Sequence, residues 1–293
     1  MKAQLIDGKR ISAEIKAEAA EEAAALKAKG ITPCLAVVLV GDDSASQVYV
    51  NNKKKACEAV GIRSVSHVLS GGTTEEALLE LIAKLNADKD IHGILVQMPV
   101  PKQIDERKVI LAIDPKKDVD CFHPVNVGNL HTGGEGFLPC TPAGIIELIK
   151  RSGHSIEGKQ CVVIGRSNIV GKPVAMLLMQ ENGTVTICHS KTRNLAEICR
   201  GADIIVSAVG KVNTVTADMV KEGAILIDVG MNRNEAGKLC GDVDFENVKE
   251  IAGAITPVPG GVGPMTIAML MKNCNTAAKI QNGLQYRRIV RKS

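Results

Sequence analysis

Apolar residues occur along this chain in short continuous runs, each bounded by Gly, Pro or polar residues. Runs of this kind that are rich in β-branched residues predict strands, and they lie at 35–40, 93–96, 161–164, 185–188, 204–208 and 225–229. A strand with one face in water alternates apolar and polar positions, and these runs do not alternate. Both faces are therefore expected to be covered, as in the largely parallel sheet of an α/β protein.

Helical periodicity fills several of the intervals between these runs, at 12–29, 74–86 and 172–180. The chain has 293 residues, more than one domain usually holds, so two domains are expected. The predicted boundary is the turn-rich, glycine-rich stretch 123–139, after which Thr141 and Pro142 suit the N-cap and first position of a helix. A second break is predicted at 257–264, followed by a basic helical tail at 266–293 that could pack back on the first domain.

Composition narrows the class of protein. The net charge is only +4, and the chain has three Phe, two Tyr and no Trp, so the concentrated basic and aromatic surface of a nucleic-acid binder is not expected. No run of 18 apolar residues and no apolar leader segment occurs, which argues against a secreted or membrane-spanning protein. The nine cysteines form no CxxC pair and the six histidines no HExxH motif. We expect reduced thiols in a cytoplasmic protein and no metal site.

A turn in the second half suits a nucleotide. The strand at 161–164 runs into Gly165-Arg166-Ser167-Asn168-Ile169-Val170-Gly171 and then an apolar helix. A strand, a glycine-bounded turn and a helix N-terminus offer backbone N–H groups to a pyrophosphate. The motif is not a strict GxGxxG, and the alternative is an ordinary tight turn that needs Gly for its backbone.

The end of the next predicted strand bears on which dinucleotide binds. NAD sites place an Asp or Glu there, whereas residues 188–193 contain no carboxylate. Ser190 and the Arg166 guanidinium suit a 2′-phosphate, so NADP is preferred over NAD. Lys191 and Arg193 are interpreted as solvated loop charges.

The first half carries one unusual lysine. Tyr49, Lys53, Ala56 and Val60 are spaced to share one face of a helix, whereas Lys54 and Lys55 point elsewhere. An amine on an apolar face beside a Tyr is favoured in its neutral form, which a general base requires. The alternative is a lysine whose ammonium reaches water from the edge of the core.

Three further features accompany this lysine. Gln97 closes the strand predicted at 93–96, and polar residues at the carboxyl ends of parallel strands often line a ligand crevice. Asp120 is an acid between hydrophobic neighbours, and the loop 257–266 is dense in Gly and Pro. Gln97 and Asp120 could equally be turn or cap residues, and the loop could be an interdomain hinge.

Together these segments resemble the bifunctional methylenetetrahydrofolate dehydrogenase/methenyltetrahydrofolate cyclohydrolase family in its compact two-activity form. The resemblance covers essentially the whole chain, in order and spacing. It rests on YVxxKxxA at Tyr49, LVQxPxP at Gln97, KDVDxF at Asp120, GRSxxVGxP at Gly165 and PVPGGVGPMT at Pro257.

The resemblance implies a fold and an activity. The fold is α/β, with a folate/catalytic domain at 1–139 completed by a C-terminal helix at 271–293, a Rossmann-like NADP-binding domain with a parallel sheet at 140–270, and a cleft between them. The activity is oxidation of 5,10-methylenetetrahydrofolate to 5,10-methenyltetrahydrofolate with NADP, followed by hydrolysis to 10-formyltetrahydrofolate. A homodimer is also implied.

The resemblance also implies residue roles. Lys53 is the acid/base group of the hydrolysis, Gln97 hydrogen-bonds it, Tyr49 packs against the folate and Asp120 accepts hydrogen bonds from the pterin. The folate side is further lined by Pro259, Gly260, Gly261 and Val262. The cofactor is held by Gly165, Arg166, Ser167 and Ser190, with the nicotinamide near Gly230 and Met231.

Two positions depart from the family pattern. Cys121 replaces the usual Gly after Asp120, where a side chain is expected to crowd the folate site or shift the backbone that aims Asp120, and Met231 replaces an Ile. The alternatives are a dehydrogenase with weak or lost cyclohydrolase activity, another NADP-linked α/β dehydrogenase, and a non-catalytic folate or nucleotide binder.

Overall fold

The computed structural model of the chain describes residues 3–285, so the part of the predicted tail at 286–293 lies outside the described residues. The described chain divides into two compact units. One comprises residues 3–13 and 141–266 and is called the six-stranded unit, and the other comprises 14–140 and 267–285 and is called the three-stranded unit. No helix in residues 3–285 is both long and apolar enough to cross a bilayer.

Strands form at every predicted apolar run, with bounds that differ by at most one residue. In chain order the strands of the described residues are β1 (Gln4–Leu5), β2 (Cys34–Val40), β3 (Arg63–Leu69), β4 (Gly93–Val96), β5 (Gln160–Ile164), β6 (Thr184–Cys188), β7 (Ile204–Ser207), β8 (Ile225–Asp228), β9 (Asn232–Arg233), β10 (Leu239–Cys240) and β11 (Ala254–Ile255).

The six-stranded unit is built on a sheet with the order β1-β11-β8-β7-β5-β6, and all its neighbouring strands are parallel. The central strands β7 and β8 are buried along their whole length, which explains why their sequences do not alternate. One core of this unit packs Ile164, Ile205 and Leu226 with helix residues such as Cys199. The predicted parallel α/β sheet is confirmed, and β1 shows that the N-terminal strand joins this sheet.

The three-stranded unit has the order β3-β2-β4, again with parallel neighbours. β2 lies in the middle and is buried throughout. Its core packs Val38 and Ile94 against Leu78 and Ile82 of a covering helix. The carboxyl ends of β2 and β4 lie at the same edge, where Gln97 follows β4 directly.

The helices connect the strands. They are α1 (Gly8–Lys27), α2 (Ser44–Val60), α3 (Glu75–Ala87), α4 (Glu106–Ala112), α5 (Pro124–Thr132), α6 (Cys140–Arg151), α7 (Gly171–Gln180), α8 (Leu195–Arg200), α9 (Phe245–Val248) and α10 (Val262–Gln281). The prediction that residues 123–139 form a turn-rich stretch is partly wrong, because helix α5 occupies 124–132. The His123 side chain accepts a hydrogen bond from Val125 N–H, and Pro124 stands at the start of the helix, so the sequence contains a helix start that its glycines obscure.

Candidate functional site

Helix α2 carries the lysine that the sequence singles out. The Asp43 carboxylate caps the helix by accepting a hydrogen bond from Ser46 N–H, and Gly61 ends it with φ 81°. Ala56 and Val60 are buried, Lys53 is half-buried and Tyr49 is 42% exposed, so the predicted face runs from solvent into the core. Lys54 and Lys55 are exposed, as the spacing predicts.

Lys53 meets Gln97 inside the three-stranded unit. The Lys53 Nζ donates a hydrogen bond to the Gln97 Oε1 at 2.8 Å, which is the contact that the resemblance implies. The Gln97 Nε2 donates to the backbone carbonyl of Met98, also at 2.8 Å. That second bond orients the amide with its oxygen toward the amine, so the lysine has a neutral acceptor in a fixed position.

Asp120 lies close to this pair. Burial raises the pKa of its carboxyl from 3.8 to about 6, and the Lys53 charge opposes the rise. The segment that carries Asp120 runs beside β4, since Ile94 N–H donates to the carbonyl of Lys117 at 2.8 Å. Lys53, Gln97 and Asp120 are therefore brought together by α2, the end of β4 and the segment that follows Lys117.

The turn after Asp120 contains the unusual Cys121. Its φ is 64°, in the left-handed region, which explains why Gly is suited to this position. Its side chain is buried, and the thiol donates to the carbonyl of Phe137 at 3.3 Å. The side chain thus packs inside the three-stranded unit, and burial raises the pKa of the thiol well above its usual value.

The turn predicted to hold a nucleotide lies in the six-stranded unit between β5 and α7. Gly165 has φ 123°, and a Cβ there would lie 2.4 Å from the carbonyl oxygen of Ala208. A Cβ on Gly171 would lie 2.3 Å from the carbonyl oxygen of Gly165. The turn is therefore closed so tightly that both positions require glycine, and the Ser167 hydroxyl, by accepting from Gly171 N–H, caps it.

Arg166 and Ser190 occupy matching positions after neighbouring strands. Ile164 and Cys188 are paired in the parallel register of β5 and β6, and each of the two residues follows two positions later. Gly165 N–H extends this pairing by donating to the carbonyl of Cys188 at 2.9 Å. Adjacent strands lie about 4.8 Å apart, so an exposed guanidinium and an exposed hydroxyl lie at one edge of the sheet.

The remaining predicted residues also belong to the six-stranded unit. Gly230 is buried just after β8, and Met231 beside it is 57% exposed. In the loop before α10, Pro259 is exposed, Gly260 is half-buried and Gly261 is buried, and Val262, the first residue of α10, is also buried. Gly261 packs so closely on the start of α1 that a Cβ on Gly8 would lie 1.8 Å from its carbonyl oxygen. Within residues 3–285 no group of three or more His, Cys, Asp or Glu side chains could hold a metal ion.

Comparison with known proteins identifies the family. The model of the tetrahydrofolate dehydrogenase/cyclohydrolase catalytic domain matches residues 6–120, and that of the NAD(P)-binding domain of the same family matches residues 139–282. The bifunctional protein FolD of Acetivibrio thermocellus is 60% identical over 281 residues, which cover 96% of this chain and 99% of the relative. The chain belongs to the tetrahydrofolate dehydrogenase/cyclohydrolase family.

Other members of the tetrahydrofolate dehydrogenase/cyclohydrolase family are similar in sequence and structure. The bifunctional protein FolD of Campylobacter hominis is 61% identical over 276 residues, which cover 94% of this chain and 97% of the relative. The crystal structure of the bifunctional FolD enzyme of Campylobacter jejuni has a TM-score of 0.93 at 53% identity, over 95% of this chain and 99% of that one. The Trypanosoma brucei FolD structure, described as complexed with NADP cofactor and inhibitor, has a TM-score of 0.90 at 42% identity, over 96% of this chain and 98% of that one.

Two polar residues of this family member, Asp118 and Asn273, support the site without having been singled out from the sequence. Asp118 is 3% exposed and accepts hydrogen bonds from His123 N–H and the Asn126 side chain, both at 2.8 Å, which folds the turn after Asp120. The Asn273 Nδ2 donates to the carbonyls of Val119 and Leu138, also at 2.8 Å. Both hold the backbone next to Asp120. The tendency of Asp to form an Asx-turn before a Pro-containing turn is the one sequence signal that could have pointed to Asp118, and Asn273 has no such signal.

Proposed function

We propose that this chain oxidises 5,10-methylenetetrahydrofolate to 5,10-methenyltetrahydrofolate with NADP and then hydrolyses the product to 10-formyltetrahydrofolate. The hydrogen bond of 2.8 Å between Lys53 and Gln97, beside the Asp120 carboxyl, is the observation that carries the proposal. An amine, a neutral acceptor and an acid are the groups needed for a proton transfer next to a bound pterin. All three lie in the unit that contains most of the match to the family's catalytic domain.

The six-stranded unit fits NADP. Its tight turn with Gly165 leads into α7, where the Ser167 hydroxyl accepts from the first helical N–H, that of Gly171, and the N-cap residue Val170 makes no side-chain capping bond. A glycine-bounded turn before a helix N-terminus is suited to a pyrophosphate. Arg166 and Ser190 would take the 2′-phosphate, since residues 188–193 contain no carboxylate to oppose it. Gly230 and Met231 would receive the nicotinamide, which when bound accepts a hydride from the methylene bridge of the folate.

The residues proposed to hold the folate are those that the family resemblance implies. Asp120 would accept hydrogen bonds from the amino and ring N–H groups of the pterin, and Tyr49, 42% exposed on its helix, would pack against the folate. Pro259, Gly260, Gly261 and Val262 would line the folate side of the site. Gly260 has φ 106°, a conformation that favours glycine, and glycine has no Cβ that could block a ligand.

Lys53 would transfer the protons of the hydrolysis. Water adds to the carbon between N5 and N10 of the methenyl cation, a C–O bond forms, and the Lys53 amine accepts a proton from that water. The bond from this carbon to N5 then breaks as the carbonyl of the formyl group forms, and the ammonium returns a proton to N5. One proton is released overall, because a cation and water give a neutral product. Gln97 holds the amine in place through this exchange.

The central test is replacement of the lysine by an uncharged side chain of similar length. Lys53→Met is expected to lower the rate of methenyl hydrolysis by at least a hundredfold, because general acid–base groups typically contribute about 10²–10⁴-fold. Its Kd for NADP should change less than twofold. The assay supplies 5,10-methylenetetrahydrofolate with NADP or NAD and records the absorbance of the reduced cofactor and of the methenyl product together.

The matched control is Lys54→Met, the same change at the exposed neighbouring position on α2. Both activities should stay within twofold of the wild-type values. Absence of reduced cofactor with either nucleotide would refute the proposed oxidation. Hydrolysis that persists in Lys53→Met would instead leave the lysine as a structural residue and remove the second half of the proposal.

The same proposal includes the domain division, the oligomeric state and the cellular compartment of the enzyme. The proposed division is a folate and catalytic part at 1–139 with 271–293 and an NADP-binding part at 140–270, although residues 3–13 pack with the six-stranded unit. We infer a homodimer from the family resemblance, and sedimentation velocity gives its mass directly. All nine cysteines are free thiols in the structure, which supports work in the reducing cytoplasm.

A further inference from the structure

Two buried carboxyl groups of the six-stranded unit have no part in the chemistry described above. Asp228 is the last residue of β8 and is 3% exposed, and Asp242 follows β10 and is 0% exposed. Neither forms an ion pair within the described residues. A buried carboxylate is strongly destabilising unless hydrogen bonds compensate it, so the donors around these two groups have to account for their burial.

Asp242 is surrounded by donors that come from the end of β7, the loop after it and β9. It accepts hydrogen bonds from the Ser207 hydroxyl (3.1 Å), the backbone N–H groups of Val209 (2.9 Å), Gly210 (3.3 Å) and Lys211 (2.9 Å), and the Asn232 side chain (3.0 Å). Backbone N–H groups that converge on one carboxylate stabilise its charged form. The loop after β7 is thereby tied at three consecutive residues.

Asp228 completes the arrangement from the other side. Its Oδ1 accepts from the backbone N–H groups of Gly230 and Asp242, and its Oδ2 accepts from Val243 N–H, all at 2.9 Å. A Cβ on Gly230 would lie 2.3 Å from the Asp242 Oδ1, and a Cβ on Gly241 would lie 1.9 Å from the Asp228 Oδ2. The Asp242 carboxylate is therefore packed against the backbone at Gly230, and the Asp228 carboxylate against the backbone at Gly241. Moving one carboxylate requires moving the segment that carries the other.

The loops that they tie lie at the edge of the sheet where a dinucleotide would bind. β6, the strand that follows β5 along the chain, lies on one side of β5. β7, the strand after that, lies on the other side of β5, between β5 and β8, so the order in which strands are added reverses next to β5. Ligands of such sheets bind at the carboxyl ends of the strands next to this reversal. The loop held by Asp242 starts there, next to Ala208, whose carbonyl contacts Gly165.

We propose that Asp242 is a positioning residue for the nicotinamide half of the cofactor. It sets the backbone after β7 and, together with Asp228, the backbone at Gly230 and Met231. The inference rests on the proposed function, in which Gly230 and Met231 receive the nicotinamide. Asp242 itself is fully buried and acts through these loops.

The test uses the two activities as separate readouts. Asp242→Asn keeps the size of the side chain, but its NH₂ group faces backbone N–H donors and the charge is lost. The KM for NADP is expected to rise at least tenfold. Hydrolysis of supplied 5,10-methenyltetrahydrofolate, which needs no NADP, should stay within twofold. Asp244→Asn is the matched control. Within the described residues the carboxylate of this half-buried neighbour accepts from the Asn247 side chain, at 2.7 Å, and from no backbone N–H group, so both readouts should stay at the wild-type values.

If Asp242→Asn does not fold, a milder variant tests the proposed positioning role of Asp242. Ser207→Ala removes one of the five donors at a buried position and changes the volume little. The KM for NADP should rise about threefold with hydrolysis unchanged. An unchanged KM for NADP in the folded variants, or a parallel fall of both activities, would overturn the inference. Failure of the wild-type chain to reduce NADP would refute the proposed function instead, so the two failures are distinguishable.

Discussion

At the scale of the residue, Asp120 shows how the local environment shapes the candidate site. Burial is the largest influence on its carboxyl and raises the pKa to about 6. The nearby Lys53 charge and a thiol hydrogen bond from Cys140 lower it, and the negative charge of Asp118 raises it. The group is ionised at neutral pH but titrates within two pH units of it, unlike an exposed aspartate.

A pH dependence of folate binding follows from this titration. Because the folded-state pKa lies above the ordinary value of 3.8, Asp120 accepts a proton as the pH falls through about 6 and no longer offers two acceptor oxygens to the pterin. We expect kcat/KM for 5,10-methylenetetrahydrofolate to fall, approaching a tenfold loss per pH unit below that pKa, since kcat/KM reports the titration of the free enzyme. Initial rates between pH 5 and 8 measure it.

Asp120→Asn provides the comparison for this prediction. The amide cannot titrate, so kcat/KM should be low at every pH and should lose the inflection near 6. A wild-type profile that is flat from pH 8 to 5 would show that Asp120 does not bind the substrate in its ionised form. An inflection that persists in Asp120→Asn would assign the titration to another group.

At the scale of the element, the strands that could be predicted are those whose burial is uniform. β2, β4, β7 and β8 are buried along their whole length, and continuous apolar sequence predicts such strands directly. β3 escaped prediction because it is an edge strand with Ser and His between its apolar residues and no fully buried position. The two-residue strands β9, β10 and β11 are defined by their pairing alone, which no local pattern encodes.

The turn between β5 and α7 allows a prediction about the shape of its backbone. A Cβ on Gly171 would lie 2.3 Å from the Gly165 carbonyl oxygen, so Gly171→Ala must open the turn. Overpacking of this kind costs about 1–3 kcal/mol of stability. We expect a lower Tm and a KM for NADP raised at least fivefold, with hydrolysis of supplied 5,10-methenyltetrahydrofolate retained.

Gly201→Ala is the control for the turn, since its Cβ would only make an ordinary contact of 3.5 Å with the Ile198 carbonyl oxygen. It lies in the same unit and introduces the same methyl group. Its KM for NADP should match the wild-type value. Equal effects of the two variants would mean that the shape of the turn around Gly171 has no specific part in cofactor binding.

At the scale of the whole molecule, sequence can predict candidate site residues that stand in compact motifs, whereas residues linked across long separations escape such prediction. Lys53, Gln97 and Asp120 each stand in a recognisable local context. Asp242 does not, because its partners are mostly backbone N–H groups about 30 residues away. A backbone donor has the same chemistry in every residue except Pro, so no sequence pattern reveals such an arrangement.

The nine cysteines are predicted from the sequence to be reduced thiols, and the structure adds how far each one is buried. Eight of them are buried, and burial raises the pKa of each of these thiols, for example to about 11 in Cys34 and about 12 in Cys57 and Cys199. Cys240 is half-buried and lines a cavity of about 430 Å³. Because the thiolate is the reactive form, burial slows the other eight thiols both by limiting access and by raising their pKa, and Cys240 is left as the accessible thiol.

Alkylation of the native enzyme should therefore label one thiol per chain rapidly. We expect iodoacetamide at pH 7.5 to modify Cys240 at least tenfold faster than any other cysteine, as measured by peptide mass spectrometry over time, with the other eight modified only after denaturation. Cys240→Ser should remove the fast phase and leave both enzymatic activities within twofold, since Cys240 belongs to neither proposed site. Rapid labelling of Cys121 or Cys140 in the native chain would contradict the prediction, because it would mean that the interior around Asp120 opens to solvent.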